Sequence, residues 1–360
     1  MELIYNNKVS YTDILQKANK FNAFENISNS SCLIFGDNFN ALSSLLKTHR
    51  GKIDLIYIDP PFNTNQVFMV NDNRKNAVSY SKNSEIAFSD KLSRDEFLEF
   101  MRERFILLKE LLSEKGSIYV HIDTKVGHYI KILLDEIFGE NNFKNDITRI
   151  KSNPKNFSRS AYGNEKDTIY FYAKNYTKNI WNEVRIPIDK TDIEKKFPKI
   201  DKNGRRYTTI PLHAPGESLG MTGQQWKGIN PPEGRHWRTN PIELDRLDSL
   251  GLIEWSSTGN PRIKKYADEH NGKKMQDVWI FKDPQRPIYP TEKNIDMLKF
   301  IIKQSSNPDS CVLDCFCGSG STLLAAEELG RKWIGIDSSK IAINTVKSRK
   351  LLKNYKYYEC

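Results

Sequence analysis

With 360 residues, 41.8 kDa and a hydrophobic fraction of 38%, the chain has material for one large or two ordinary folded domains, which excludes a fibrous or disordered class. Lys and Arg outnumber Asp and Glu by 55 to 45, giving +10 overall and a pI near 9.1; 14 of the cations against seven of the acids fall in residues 151–206, a bias that favours a polyanionic partner. Five cysteines in so long a chain are no disulfide framework and lack the paired spacing of a zinc site, and no signal-like start or run near the roughly 20 apolar residues of a membrane span is present, so a cytoplasmic protein without metal is expected.

Residues 1–31 are polar and Asn-rich, with Ile14, Leu15 and Phe21 as weak apolar anchors, and read as a short helix and a tether. Cys32–Phe35 is a short apolar strand ending at Gly36-Asp37-Asn38, after which Ala41, Leu42, Leu45 and Leu46 recur at helical spacing. The next strand, Ile53–Ile58, is stopped by Asp59-Pro60-Pro61-Phe62. Proline fixes φ and donates no backbone hydrogen bond, so this tetrapeptide offers a carboxylate, outward carbonyls and a ring, which suits a flat amine. Taken alone it is equally a proline turn. Asn63 to about Asp90 is polar and too long for an ordinary connection, and is expected to form a mobile loop over that site.

Ser93 and Glu96 form a capping box ahead of a helical stripe of Phe97, Phe100, Met101, Phe105, Leu108 and Leu112. Ser117–Asp123 is the next strand, Ile130 to Phe138 marks a helix closed by Gly139, and Thr168–Ala173 is another strand. His121 reads as a satisfied structural residue rather than a catalytic partner of Asp123. From Trp181 to about Pro287 helical patterns give way to Pro, Gly, Trp and basic residues, including Gln225-Trp226-Lys227-Gly228 and Pro231-Pro232-Glu233-Gly234-Arg235-His236-Trp237-Arg238. This segment reads as an inserted domain in which cations interleaved with aromatics suit phosphate contact and base stacking. Lys151, Lys155, Arg159, Arg205, Arg206, Arg235, Trp237 and Arg238 are the candidate nucleic-acid contacts.

A helix over Ile295–Ile302 leads into the strand Cys311-Val312-Leu313-Asp314, the turn Cys315-Phe316-Cys317-Gly318-Ser319-Gly320 and a helix through Ala326. Strand, Gly-x-Gly turn and helix N-terminus make a nucleotide-type cradle. Trp333–Asp337 adds a second strand ending in an acid, at the spacing that reaches ribose hydroxyls. Leu323 stands where a dinucleotide fingerprint needs its third glycine, so a cofactor without pyrophosphate fits better, which points to S-adenosylmethionine.

Asp59-Pro60-Pro61-Phe62, the basic insert, Tyr289-Pro290-Thr291-Glu292-Lys293 and Asp314-x-Phe316-x-Gly318-Ser319-Gly320, in that order, resemble the amino-group DNA methyltransferases of the beta order, in which the catalytic motif precedes the cofactor motif. The resemblance runs from Gly36 to the helix after Asp337, and the Trp-Lys-Gly and Arg-His-Trp-Arg stretches are similar to the target-recognition segment of adenine-specific members near the type III modification subunits. It implies an α/β, doubly wound methyltransferase fold with circularly permuted motif order: a catalytic half at 32–180, an inserted target-recognition domain at 181–287 and a cofactor-binding half at 288–360. The implied catalytic residues are Asp59, Pro60, Pro61 and Phe62. The implied cofactor contacts are Asp37, Thr291, Lys293, Asp314, Phe316, Gly318, Ser319, Gly320 and Asp337, with Asp337 on ribose and Thr291 and Lys293 near the methionine end. Cys315, Asn294, Tyr289 and Asp337 depart from the residues common in that family, which bears on cofactor geometry and leaves Asp59, Gly318 and Gly320 untouched.

The activity implied is methylation of the exocyclic amino nitrogen of a flipped adenine in double-stranded DNA, with a restriction endonuclease and a second copy of the chain as the partners to look for. Amino methylation of cytosine, and methylation of RNA or protein glutamine, are the alternatives. The leading aspartate of the tetrad and the long basic insert favour adenine in DNA.

Overall fold

The computed structural model describes residues 2–25, 27, 30–61, 92–154, 160–285, 287 and 292–360, together with the backbone of the strands Val67–Val70 and Glu85–Ser89. Two compact units are present, residues 1–184 with 275–360, and Arg185–Lys274.

The larger unit is built on one nine-stranded sheet in the order Val278–Ile280, Phe143–Ile150, Lys166–Ala173, Leu112–Ile122, Ile53–Ile58, Cys311–Asp314, Lys332–Asp337, Cys32–Phe35 and Lys356–Glu359. Neighbours run parallel except at Lys166–Ala173, which is antiparallel to the strands on both sides. In the central strand Ile53–Ile58 every residue but Asp54 is apolar, and Ile53, Leu55, Ile56, Tyr57 and Ile58 are all buried, as expected of a sheet covered on both faces. This is the doubly wound α/β fold expected, and its permuted connectivity is visible at the centre. Val312 pairs with Leu55 and Leu313 with Ile56, so two strands far apart in the chain lie side by side and end together. In a doubly wound sheet, ligands bind beyond the carboxyl ends of such neighbours.

The helices follow local signals. Asp37 caps the helix Asn38–His49 by accepting from the Phe39 and Asn40 N–H groups, and the Ser93–Glu96 capping box opens the helix Arg94–Leu111. Gly139, at φ 90°, ends the helix Gly127–Phe138. Two expectations change. The N-terminal segment is no tether: Ile14 and Ala18 of the helix Tyr11–Asn19 are buried in the main core, Leu3, Tyr5 and Phe21 pack against it, and the Tyr5 hydroxyl donates to Glu99 at 2.6 Å. Within the stretch after Phe62, Val67–Val70 and Glu85–Ser89 form an antiparallel pair, which period-2 alternation too short to register in the sequence did not announce; the rest of that stretch lies outside the described residues.

The smaller unit has a four-stranded sheet, ordered Ile253–Trp255, Pro261–Tyr266, Arg206–Pro211 and Lys199–Ile200, and a separate pair, His213–Pro215 with Arg235–Trp237. Its core is Leu212, Trp226, Trp237, Leu244 and Ile253. It spans less than the 181–287 read from composition, because Val278–Ile280 adds a parallel edge strand to the large sheet beside Phe143–Ile150. Among the described residues no helix is long and apolar enough to cross a membrane.

Candidate active site

Asp59 follows the strand Ile53–Ile58 and is anchored on one side only. Its Oδ2 accepts from Lys293 Nζ at 2.7 Å, with both side chains largely shielded. Its Oδ1 is buried and has no hydrogen-bond partner among the described residues. A buried carboxylate oxygen left unpaired is costly unless something arrives to use it. Pro60 and Pro61 follow as expected, while Phe62 and Thr291 lie outside the described residues. Lys293, which the resemblance puts near the cofactor, is therefore also the ion-pair partner of the tetrad aspartate. No sequence signal joins two residues 234 positions apart.

Beneath Asp59 lies a buried polar chain that the sequence reading placed in the core without assigning its partners. His121, fully buried on Leu112–Ile122, bonds through Nδ1 to the Tyr57 hydroxyl at 2.8 Å and through Nε2 to Asp167 Oδ2 at 3.1 Å. Burial depresses the basicity of the imidazole, against the opposing pull of Asp167 and Asp59. Burial also works against ionisation of Asp167, yet the bond from His121 and the pair with Lys151 at 2.6 Å hold its carboxyl well below the usual carboxylate range. Arg149, itself buried, reaches the same carboxylate at 3.6 Å.

On the neighbouring strand, Asp314 accepts from the Phe316 N–H at 3.0 Å, and burial pushes its carboxyl up to about 7, with Asp59 and Asp337 adding to the shift. The turn that follows is held from three sides. Asp337 Oδ2 accepts from the Gly318 N–H at 2.8 Å and its Oδ1 from the Ser339 N–H at 2.8 Å. Arg349 donates to the Ser319 carbonyl at 2.5 Å and to Glu292 at 2.7 Å. Asn38 donates to the Cys315 carbonyl at 2.9 Å while accepting from Arg104, whose guanidinium also pairs with Asp37 at 3.1 Å and lies over the Phe100 ring. Gly320 has φ 75°, and a Cβ there would meet Val346 Cγ2 at 2.8 Å, so packing as well as conformation demands glycine. Asp37 thus serves as helix cap and ion-pair partner, and Phe316, half-exposed, presents its ring beside Phe100. Cys315 and Cys317 are buried, and burial pushes both thiols far up, which removes them as nucleophiles.

These residues fit S-adenosylmethionine. Asp59, Asp314 and Asp337 stand at the ends of a run of adjacent strands, close enough for the first and last to raise the middle one. Such a concentration of carboxylates opposes a pyrophosphate and suits a ligand with a cationic sulfonium and ammonium. Among the described residues no group of His, Cys, Asp and Glu is arranged to hold a metal ion.

The candidate nucleic-acid contacts divide. Arg235 and Arg238 are exposed on the smaller unit, and Arg205 is half-buried and engaged with Asp268 and Glu269. Arg206 lies near Glu194 at 3.7 Å. Trp237 is not on the surface: it is 1% exposed in that unit's core and donates Nε1–H to the Gln224 carbonyl at 2.9 Å, so stacking on a base is closed to it. Trp255, half-exposed and stacked on Trp226 at 5.5 Å, is the tryptophan that reaches solvent there. Lys151 is spent on Asp167, while Lys155 and Arg159 lie outside the described residues.

Against known proteins, residues 53–348 match a family model described as DNA methylase. The chain is 44% identical over 325 residues to the type II methyltransferase M.EcaI of Enterobacter cloacae, an alignment covering 88% of this chain and 68% of that one. It is 25% identical over 374 residues to the EcoPI Mod subunit, from a type III restriction-modification enzyme of Escherichia phage P1; the match covers 86% of this chain and 56% of the subunit, so the chain spans little more than half that relative's length. A solved M1.HpyAVI–SAM complex aligns over 88% of this chain and 98% of its own at 19% identity, with a TM-score of 0.44.

Proposed function

The chain belongs to the DNA methylase family, and on that premise we propose that it methylates the exocyclic amino nitrogen of adenine at a specific site in double-stranded DNA. It is an S-adenosylmethionine-dependent DNA methyltransferase. The observation that carries the finer reading is the unpartnered, buried Oδ1 of Asp59, ahead of a proline that withholds a backbone donor.

When bound, S-adenosylmethionine supplies an electrophilic methyl group on its sulfonium. Adenine's amino lone pair is delocalised into the ring, so the amine becomes nucleophilic only when its hydrogens are drawn out of plane. Asp59 Oδ1 and the Pro60 carbonyl are the acceptors for those hydrogens, and Lys293 on Oδ2 fixes the direction in which Oδ1 points. Positive charge that develops on nitrogen during transfer meets the fixed carboxylate in a shielded site, where it is worth more than in water. The amine is buried in the duplex, so the base must leave the stack, and Phe62 is assigned to stack against it. The turn from Phe316 to Gly320 and Asp337 hold the cofactor, and the buried thiols leave the pathway without a covalent enzyme intermediate.

The leading aspartate of the tetrad favours adenine over cytosine. The unit Arg185–Lys274 is assigned to target recognition, with Arg235 and Arg238 at phosphates. The relatives' names belong to type II and type III restriction-modification, which supports the same context and a companion endonuclease for this chain. Expression in a methylation-free host, followed by mapping of modified bases at single-nucleotide resolution, tests this. N6-methyladenine in one recurrent motif is expected from the native chain and none from Asp59→Ala; N4-methylcytosine, or modification surviving in Asp59→Ala, refutes it.

A further inference from the structure

Asp59 Oδ1 has no hydrogen-bond partner among the described residues, although His121 Nδ1 is 3.9 Å away. The reason lies on the far side of the ring. Asp167 is an ionised carboxylate, held so by Lys151 at 2.6 Å and Arg149 at 3.6 Å, and accepts only; His121 Nε2, 3.1 Å from it, must therefore carry the hydrogen. In a neutral imidazole the remaining nitrogen is then an acceptor, and the Tyr57 hydroxyl donates to Nδ1 at 2.8 Å. The Tyr57 ring, edge-on to the imidazole with centroids 6.3 Å apart, fixes the plane. The nitrogen nearest Asp59 thus presents a lone pair already in use, and donates nothing to the catalytic carboxylate.

We propose that Tyr57, His121 and Asp167 are positioning residues that lock the imidazole in its Nε2–H tautomer, so that the inner oxygen of Asp59 remains an open acceptor for the substrate amine. This rests on the reading of Asp59 given above and extends it one layer into the core. Among the described residues, the charged and titratable groups that face the ring include Asp59, Lys293 behind Asp59, Tyr57, and Asp167 with its two cations. Burial favours the neutral ring, and burial likewise keeps the Tyr57 phenol protonated as the donor. A proton on Nδ1 would put a positive charge 3.9 Å from Asp59 Oδ1 and weaken that oxygen as the acceptor the amine needs. Methyl transfer therefore requires neutral His121, and the acid side of the kcat profile reports its titration.

The test is kcat and both KM values, for DNA and for S-adenosylmethionine, from about pH 5.5 to 9. Four forms of the full chain are compared: native, Tyr57→Phe, His121→Gln and Asp59→Asn. Phenylalanine removes the donor that stabilises neutral Nδ1, so the acid limb of Tyr57→Phe moves up by roughly one pH unit, a loss of about tenfold in kcat on that limb. Above the limb its kcat returns to within about twofold of native and both KM values hold, which a merely structural defect would not produce. His121→Gln, whose amide still donates to Asp167 but takes up no proton, loses that limb. A Tyr57→Phe profile that is unshifted, shifted down or uniformly lowered overturns the proposal, as does a His121→Gln enzyme that keeps the native limb. Asp59→Asn separates the two layers: if it is inactive while Tyr57→Phe is unshifted, only the positioning role falls, whereas an active Asp59→Asn removes the reading of Asp59 itself.

Discussion

Replacing Asp314 by Asn should stabilise the protein at alkaline pH and do progressively less as the solution is acidified. Asp314 is 3% exposed at the end of a central strand, and its carboxyl is pushed up to about 7 by burial and by Asp59 and Asp337. In the unfolded chain the same group titrates near 3.8. Between those values the folded state holds a proton that the unfolded state has released, so stability falls as pH rises through the window and is flat above it. The window is about three units wide, and at about 1.4 kcal/mol per unit the native carboxylate costs the fold about 4 kcal/mol at pH 8. Asparagine keeps the acceptor for the Phe316 N–H and carries no charge to bury. Urea unfolding at pH 8 and pH 5 should therefore show a gain larger at pH 8 by about 3 kcal/mol, the part of the window between the two conditions. An equal gain at both pH values, or a loss at pH 8, refutes the assignment of a buried, reluctantly ionised carboxyl.

Lys293→Met should leave the shielded Asp59 carboxyl without its ion pair, at a cost of about 3 kcal/mol in stability; kcat should fall more than either KM, with partial recovery in Lys293→Arg, and unchanged kinetics would detach Lys293 from the chemistry. For Gly320→Ala, a left-handed φ and a Cβ 2.8 Å from Val346 Cγ2 predict a loss of about 1–3 kcal/mol in thermal unfolding. Val346→Ala in the same chain should return only the steric part, and full rescue would mean that φ carries no strain. Trp237→Ala should cost about 3–5 kcal/mol by opening a cavity in the core of the smaller unit. Its DNA affinity should fall together with near-ultraviolet circular dichroism; a fully native spectrum with lost affinity would return Trp237 to the surface role that its burial denies.

Much of this was legible in the chain. Central strands such as Ile53–Ile58 announce themselves because both faces are buried, helix starts because Asp37 and Ser93 satisfy orphan N–H groups, and the turn at Gly320 because a left-handed residue needs glycine. What was not legible depends on which strands become neighbours. Nothing local ties Lys293 to Asp59 or His121 to Asp167; the sheet order brings the second pair together, and the segment ahead of the helix Ile295–Ser305 carries Lys293 to Asp59. Trp237 misleads for a different reason. An aromatic among prolines, glycines and cations looks like a stacking platform, but a small irregular unit has few large side chains with which to fill its core and takes the tryptophan for that purpose. Lys151 likewise reads as surface charge until its strand ends beside a buried aspartate.

The pairing of Leu313 with Ile56, 257 positions earlier, also sets an order of events in folding. Contacts of such long range form slowly, because the chain entropy of closing the loop is lost before the contact offers any return. As synthesis proceeds, the strand Ile53–Ile58 has its Leu112–Ile122 neighbour on one side long before Cys311–Asp314 exists to occupy the other. Until then a strand that is apolar but for Asp54 has a bare hydrogen-bonding edge, the kind of surface on which nascent chains aggregate. The strand that covers this edge, Cys311–Asp314, is also the one that leads into the turn assigned to the cofactor. A chain arrested before it therefore displays Asp59 without the turn Phe316–Gly320 beside it, and on the proposed roles of the two, methylation competence appears only when the sheet closes.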